Sequence, residues 1–274
     1  MNYHGFDVID VNHHLNDFDH HLNTDVYGYV ADAYAERGNA SMELNTRLAA
    51  MDAQHVRGAV MIAGSSYIRP NGIADTMAVN DAVAAYRDRQ PGRFVAAVGD
   101  VDPLHGPAGV GEVKRCHDEL GLVGISFRGM GFMMRPLIEK AGEMGLVPFV
   151  HVGTPNETIW QVDSLAKDFP DLTMVVLYVF NTISQVGSLA EIAERRPNLY
   201  FDLSGSVSFE TLGLPHLRAI GADRFLYGTY THSWPLHTKP LGKLLPDIVD
   251  SDLSQGDKTA ILSGNIKRIL NLRE

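Results

Sequence analysis

Short apolar runs rich in β-branched and aromatic residues recur along the sequence and alternate with longer amphipathic stretches. This alternation is typical of βα units built around a parallel sheet. Eight runs have this character: Phe6 to Val11, Ala59 to Ile62, Phe94 to Val98, Val123 to Phe127, Pro148 to His151, Met174 to Leu177, Leu199 to Asp202 and Phe225 to Gly228. Because eight parallel strands close on themselves, we predict an α/β fold, the (β/α)8 TIM barrel.

The stretches between the runs carry apolar residues at one-sided helical spacing. One such stretch follows Ser41, which we predict to cap a helix, and another stops at Gly145. No linker or low-complexity tract divides the chain, so we predict one barrel domain over residues 1–274. The long segments 12–39 and 230–256 follow the first and last runs, and in a barrel they open on the ligand-binding face.

Charge and composition limit the kinds of partner. The formal net charge of −10 does not favour binding to nucleic acid or to an anionic membrane. The chain contains no charged-then-apolar leader and no apolar run long enough to span a bilayer, so we expect a cytoplasmic protein with a small-molecule substrate, and a homo-oligomer is compatible with this sequence. The single cysteine, Cys116, lies on an apolar helical face and is predicted to be a core thiol.

Polar side chains stand where the predicted strands end, which is where barrel enzymes place their catalytic groups. The residues at these ends are Asn12, His14, Arg128, His151, Tyr178, Val179, Asp202, Ser204, Tyr230 and His232. Residues two apart on a strand share a face, so Asn12 and His14 are predicted to point together into the barrel mouth, with His13 pointing outward.

Six segments resemble the amidohydrolase superfamily, and together they extend over almost the whole chain. They are Ile9 to Leu15, Val150 to Gly153, Met174 to Leu177, Asn198 to Asp202, Arg224 to Thr229 and Ser263 to Asn265. The resemblance is closest to the branch that includes aminocarboxymuconate semialdehyde decarboxylase, resorcylate decarboxylases and pyrone or lactone hydrolases. It implies a barrel enzyme that is a hydrolase or a carboxy-lyase.

The same resemblance shows where the chain departs from the family. In that family the first strand ends in His-x-His, the fifth and sixth strands each supply a His, and the eighth ends in Gly-[Ser/Thr]-Asp. His14 and His151 match the second and third histidines. Asn12 stands in place of the first histidine, Val179 in place of the sixth-strand histidine, and Tyr230 in place of the aspartate.

These replacements remove groups that hold a catalytic metal. Zinc normally has three protein ligands and lowers the pKa of its bound water to about 7. An amide is a weak ligand, valine is none, and a phenol binds poorly unless it ionises. A shift by one residue puts Tyr178 in the sixth-strand place without restoring a ligand. We therefore predict no tightly bound metal and no cofactor, with Asp202 or His232 as the candidate substitutes for lost ligands.

The remaining residues still suggest an active site. The predicted catalytic residues are His14, His151, Tyr230, Asn12 and Asp202, and the predicted substrate-binding residues are Arg128, Tyr178, Val179, His232 and Trp234. An arginine fork binds carboxylates, and histidines transfer protons near neutral pH. Each assignment has a purely structural alternative. In these alternatives, Arg128 forms a surface ion pair, the histidines form structural hydrogen bonds, and Tyr230 only fills the space of a lost ligand.

Three classes of function are compatible with this pattern. The first is a metal-independent enzyme that hydrolyses or decarboxylates a small carboxylated cyclic substrate, and this is our prediction. The second is a metal-dependent hydrolase or decarboxylase disabled by loss of its ligands. The third is a non-catalytic protein that binds a ligand in the mouth of the barrel.

Overall fold

A computed structural model describes residues 2–15, 40–64, 71–128, 131–153, 157–181, 183–205, 208–231 and 243–272. Within it, one sheet contains eight parallel strands in sequence order. They are β1 (Ile9–Leu15), β2 (Gly58–Ala63), β3 (Phe94–Asp100), β4 (Gly124–Arg128), β5 (Val147–His151), β6 (Met174–Leu177), β7 (Leu199–Asp202) and β8 (Phe225–Leu226).

Helices lie between the strands. They are α1 (Ala40–Ala53), α2 (Ile73–Arg89), α3 (Pro107–Asp118), α4 (Arg135–Glu143), α5 (Ile159–Asp168), α6 (Ile183–Val186), α7 (Leu189–Arg195), α8 (Leu214–Ile220), α9 (Leu244–Asp250), α10 (Gln255–Thr259) and α11 (Asn265–Ile269). Thr158 caps the start of α5: its hydroxyl oxygen accepts the Gln161 N–H, and the Gln161 side-chain oxygen accepts the Thr158 N–H. The order of elements confirms the predicted (β/α)8 barrel.

Backbone hydrogen bonds join β1 to the segment that follows β8. The Val11 N–H donates to the Tyr227 carbonyl over 3.0 Å, and the His14 N–H donates to the Thr231 carbonyl over 2.7 Å. This seam brings the two ends of the sheet together, so the barrel is nearly closed. Closing a sheet in this way removes its exposed edges.

Alternation along the strands separates two apolar layers. One layer fills the barrel interior and includes Val60, Val98, Phe149 and Leu177, together with Ile266 of α11, which covers the end where the strands begin. The other layer lies between the sheet and the helices. Because one end of the barrel is filled by apolar side chains, polar side chains collect at the opposite end, the mouth.

The structure confirms most of the predicted local features and corrects two. Cys116 is a buried thiol whose pKa is raised by burial and by nearby Glu112, as expected for a core cysteine. Helix α4 ends two residues before Gly145, as predicted. The predicted cap Ser41 lies inside α1 instead. The first strand begins at Ile9 and ends at Leu15, and Phe6 instead pairs with Tyr3 in an isolated antiparallel bridge.

No helix among the described residues is long and apolar enough to cross a membrane. The parts of the long predicted loops between residues 16 and 39 and between 232 and 242 lie outside the described residues. Residues 243–256 of the second loop contain α9 and the start of α10.

Asn265 provides a test of how the end of the barrel opposite the mouth is held. Its buried amide nitrogen donates to the carbonyls of Ala222 and Phe225, 2.9 and 2.8 Å away. Replacing it in Asn265→Ala leaves two buried carbonyls without that donor, which should lower the free energy of unfolding by about 2 kcal/mol in urea titrations. The exposed helix residue Gln255 gives the control: Gln255→Ala should change stability by less than about 0.5 kcal/mol. Equal effects of the two variants would contradict this account.

Candidate functional site

A bulge in β1 directs its side chains at the mouth. Asp10 pairs with Ala59 and His13 with Met61, so β1 has one residue more than β2 over this stretch. Beyond the bulge His14 pairs with Ile62, an interior residue. The side chains of Asn12 and His14 meet there, whereas His13 lies on the opposite face and contacts Asp10.

A fully buried polar network lies at the base of the mouth. The Asn12 amide nitrogen donates to Asp202 Oδ2 over 2.7 Å and to Ser204 Oγ over 2.8 Å. The Ser204 hydroxyl in turn donates to Asp202. Asp202 also accepts the backbone N–H groups of Ser204, at 2.8 Å, and of Tyr178, at 3.3 Å. Residues from β1, β6 and β7 are thereby fixed relative to one another.

Asp202 has an unusual protonation behaviour. Burial disfavours its ionised form and raises its pKa to about 6, although the bonds from Ser204, Asn12 and the Tyr178 backbone favour the carboxylate. The effect of desolvation on the pKa of Asp202 is therefore larger than that of its hydrogen bonds. A carboxyl of this kind changes its charge within the pH range in which most enzymes operate.

The network fixes the orientation of the Asn12 amide. Both hydrogens of its nitrogen face oxygen acceptors, so its oxygen faces His14 Nε2 at 2.8 Å. The amide oxygen can only accept, and His14 must therefore carry a proton on Nε2. A flipped amide would place its oxygen against the Asp202 carboxyl, which disfavours that arrangement.

The segment that follows β8 packs closely on this network at Gly228. A Cβ at this position would lie 2.2 Å from Asp202 Oδ1 and 3.0 Å from the Asn12 Cβ. No side chain fits at such distances. The glycine therefore allows the backbone that leads to Tyr230 to lie directly against the buried polar groups.

Four rings line the mouth above the network. The centroid of His14 lies 5.1 Å from that of His151 and 5.8 Å from that of Tyr230. The rings of Tyr178 and Tyr230 are stacked, with centroids 4.0 Å apart and an interplanar angle of 18°. Both tyrosines have left-handed backbone conformations, with φ of 66° and 53°. The two phenols and two imidazoles form one continuous surface.

Tyr178, rather than its neighbour, reaches the mouth from the end of β6. Val179 is fully buried in the apolar layer between sheet and helices. The Tyr178 ring lies against Gly205, where an added Cβ would be 2.7 Å from Cε2 of the ring. Gly205 has a φ of +77°, which favours glycine in any case. The ring is thus held between Gly205 and Tyr230.

Arg128 is held by an acidic partner that the sequence did not indicate. Its Nη1 donates to Glu157 Oε1 over 3.1 Å, and both side chains are largely shielded from solvent. Arg128 shares its face of β4 with Ser126, since residues two apart on a strand face the same side. The guanidinium therefore lies at the wall of the mouth rather than in a fully exposed ion pair.

Asp100 also belongs to the mouth by its place on β3. The alternation that puts Ala96 and Val98 in the interior puts Asp100 on the same face, opposite Ser126. Asn80 of α2 holds its backbone: the Asn80 amide accepts the Asp100 N–H at 2.7 Å and donates to the Asp100 carbonyl at 3.2 Å. The predicted third strand ended at Val98, which is why this residue was missed.

The described side chains do not fit a catalytic divalent metal. Among the described residues there is no group of three or more His, Cys, Asp or Glu side chains that could hold one. The Nε2 of His14 carries a proton for Asn12, so it has no lone pair to offer. Asp202 is fully buried and engaged with Asn12 and Ser204. His232 and Trp234 lie outside the described residues.

Comparisons with known proteins place this geometry in context. The family model described as Amidohydrolase matches residues 9–272. No curated protein matches the sequence.

Several solved structures are similar over nearly their whole length. The chain is similar to 5-carboxyvanillate decarboxylase from Sphingomonas paucimobilis, with a TM-score of 0.74, 17% identity and coverage of 98% of this chain and 100% of that one. It is similar to 2,6-dihydroxybenzoate decarboxylase from Rhizobium, with a TM-score of 0.70, 17% identity and coverage of 97% and 99%. A dihydroxybenzoic acid decarboxylase from Polaromonas with bound manganese has a TM-score of 0.68, 17% identity and coverage of 99% and 97%. At these identities the likeness shows the fold.

The raised pKa of Asp202 predicts a pH-dependent contribution to stability. A carboxyl whose pKa rises from 3.8 to about 6 on folding stabilises the protein fully below pH 3.8, and this contribution is lost as the pH rises through 6. Its size is about 3 kcal/mol. Asp202→Asn cannot titrate, so its stability relative to the parent protein should increase by about that amount between pH 4 and pH 7. Urea titrations at both pH values measure this, and a constant difference would contradict the assignment.

Gly205 predicts a spectroscopic effect. Gly205→Ala would push the added methyl group into the Tyr178 ring and disturb its stacking on Tyr230. The near-ultraviolet circular dichroism of the tyrosines should therefore decrease. Gly111 on α3 offers a matched control because an added Cβ there has no atom within 4 Å. If Gly205→Ala and Gly111→Ala leave the same spectrum as the parent protein, the Tyr178 ring is not confined as described.

Proposed function

The chain belongs to the amidohydrolase family, and from that membership we propose that it is a carboxy-lyase acting on a small carboxylated aromatic ring without a tightly bound metal ion. The observation that carries this proposal is the buried Asn12 amide. It donates to Asp202 and Ser204 and accepts from His14, so a hydrogen-bonded network occupies the place where a metal would need ligands.

Decarboxylation suits these groups better than hydrolysis. Hydrolysis of a lactone or amide requires an activated water, which a metal normally provides by lowering the pKa of bound water. The described side chains do not fit such a metal. Decarboxylation requires a proton and a ring that can take up an electron pair. The decarboxylases among the similar structures support this choice of reaction, although the one from Polaromonas contains manganese.

Arg128 is the residue we assign to the substrate carboxylate. The guanidinium has five N–H donors in a planar fork, and its Nη1 contact with Glu157 fixes the orientation of that fork. The ring of Tyr230, supported by the stacked ring of Tyr178, provides an aromatic wall for the substrate ring. Val179 is proposed to support Tyr178 from the apolar layer rather than to contact substrate.

Proton delivery is assigned to His151. The Nε2 proton of His14 is held by Asn12, whereas the ring of His151 lies beside it at the mouth. Imidazoles transfer protons near neutral pH. The proton goes to the ring carbon that bears the carboxylate, the C–C bond breaks, and its electron pair restores the aromatic ring as carbon dioxide leaves. Solvent then reprotonates His151, so no oxidant or reductant is consumed. We assign to Tyr230 a hydrogen bond from its hydroxyl to an oxygen substituent of the substrate ring.

The test is turnover with and without chelator. Protein dialysed against 1,10-phenanthroline and EDTA should contain far less than one equivalent of metal and should decarboxylate 2,6-dihydroxybenzoate or 5-carboxyvanillate at an unchanged rate. Release of carbon dioxide and loss of substrate absorbance measure the reaction. Arg128→Lys should raise KM by roughly tenfold or more, since it keeps the charge but loses the bidentate fork.

Reversion variants separate the proposal from its alternatives. One set combines Asn12→His, Val179→His and Tyr230→Asp, and a second replaces Val179→His by Tyr178→His. Metal-dependent turnover that appears only in a reverted set would identify a disabled metalloenzyme and contradict the proposal. Binding of either acid to the parent protein without turnover would identify a non-catalytic binding protein.

A further inference from the structure

A second buried acidic group, Asp10, lies behind the mouth and takes no part in the proposed chemistry. It is fully buried on the helix-facing side of β1. Its Oδ1 accepts the backbone N–H groups of Asn12 and Thr229, each at 2.9 Å. Its Oδ2 contacts His13 Nδ1 at 2.7 Å and accepts the Thr229 hydroxyl. One carboxylate therefore contacts four groups from both sides of the barrel seam.

The two backbone N–H groups that Asp10 binds belong to functionally placed segments. Asn12 is in the β1 bulge and carries the amide that binds His14. Thr229 immediately precedes Tyr230. On the other side of Tyr230, the Thr231 carbonyl accepts the His14 N–H at 2.7 Å, and the Thr229 and Thr231 hydroxyls are 2.5 Å apart. Tyr230 is thus held at both neighbours.

This arrangement explains the backbone conformation of Tyr230. A non-glycine residue with a φ of 53° is in the left-handed region, which is unfavourable for a bulky side chain and persists only when its surroundings fix it. Asp10 fixes Thr229, and β1 fixes Thr231. The left-handed turn then directs the Tyr230 ring against Tyr178 and toward His14.

The charge state of Asp10 is consistent with such a role. Burial alone would raise its pKa, but the hydrogen bond and charge of His13, the Thr229 hydroxyl and the Asn12 N–H together lower it. The ionised carboxylate, which accepts hydrogen bonds only, is therefore the favoured form. Asp10 and Asp202 lie on opposite faces of the barrel wall, with Asn12 contacting both.

We propose that Asp10 is a positioning residue that sets the relative placement of Asn12 and Tyr230 across the seam between β1 and β8. Its kinetic consequence rests on the proposed function, because it assumes that these residues surround the reacting ring. Its structural consequence does not depend on turnover. Asp10 would act only through the backbone of the residues it holds.

Two substitutions separate the effect of the hydrogen bonds from that of the charge. Asp10→Ala removes every contact. Asp10→Asn keeps an oxygen that accepts both N–H groups and turns its nitrogen toward His13 and Thr229. Relative to other buried strand amides, hydrogen exchange at the Asn12 and Thr229 amides should accelerate by about tenfold in Asp10→Ala and much less in Asp10→Asn. In Asp10→Ala, kcat should fall roughly 10- to 100-fold with KM changed little, since misplaced groups impair the chemical step.

Asn265→Ala is the control for stability loss alone, because it weakens the opposite end of β8 without touching the mouth. In this variant, exchange at the Asn12 and Thr229 amides should accelerate no more than at other buried strand amides, because its effect there passes only through global unfolding. Should Asp10→Ala fail to fold, Thr229→Val and Thr229→Ser serve instead: valine removes the hydroxyl that binds Asp10, and serine keeps it. The amide hydrogen of residue 229 should exchange faster in Thr229→Val than in the parent protein, and at the parent rate in Thr229→Ser.

The outcomes are distinguishable from those of the proposed function. If the parent protein turns over neither 2,6-dihydroxybenzoate nor 5-carboxyvanillate, the proposed function fails while hydrogen exchange still tests Asp10. Exchange at Asn12 and Thr229 in Asp10→Ala that changes no more than at other buried strand amides, as in Asn265→Ala, would overturn the inference. Accelerated exchange with unchanged kcat in an active enzyme would overturn its kinetic part.

Discussion

The donation of the Asn12 amide to the buried Asp202 carboxyl is the interaction on which the site depends. Asp202 is fully shielded from solvent, so it must be satisfied by protein groups, and Asn12, Ser204 and the Tyr178 backbone satisfy it. Because the Asn12 amide nitrogen donates to Asp202 and Ser204, the amide oxygen faces His14 and requires a proton on its Nε2. One desolvated carboxyl thereby sets the hydrogen-bonding state of a histidine ring that lies beside His151 and Tyr230.

The barrel transmits this constraint to the rest of the mouth. Gly228 lets the segment after β8 pack against Asp202, and the hydrogen bonds of that segment to β1 place Tyr230 above the network. Tyr178 is tied to Asp202 through its backbone and stacks on Tyr230 through its ring. The aromatic wall and the polar base are therefore parts of one packed unit. A substitution in the aromatic wall should therefore alter the geometry of the polar network, and the reverse should hold, because close-packed interiors transmit strain.

The sequence was sufficient for the fold because strand and helix periodicities depend on local pattern. All eight strands occur near their predicted places, and Asn12 and His14 do meet at the mouth. The bulge that brings them together was not predictable, since it depends on the register between β1 and β2. The left-handed backbone conformation of Tyr178 was equally unpredictable from sequence. The family resemblance therefore gave Val179, rather than Tyr178, the place of the sixth-strand histidine.

Tertiary pairing decided the remaining differences. Glu157 lies far from Arg128 in sequence, so only the fold shows that they bind each other. Asp100 was within reach of sequence reasoning, since extending the alternation of β3 by two residues places it at the mouth. The sequence indicated only that Asp10 lies in a segment that resembles the amidohydrolase superfamily, and it did not indicate a role for this residue. Its role depends on Thr229, 219 residues away in sequence.

The most direct measurement of the central claim is the protonation state of His14. In protein labelled with ¹⁵N-histidine, long-range ¹H–¹⁵N correlation spectra at pH 7.5 distinguish protonated from unprotonated ring nitrogens. The account predicts that His14 Nε2 is protonated and that its signals do not move when one equivalent of Zn²⁺ is added. An unprotonated Nε2, with signals that shift on zinc addition, would contradict it.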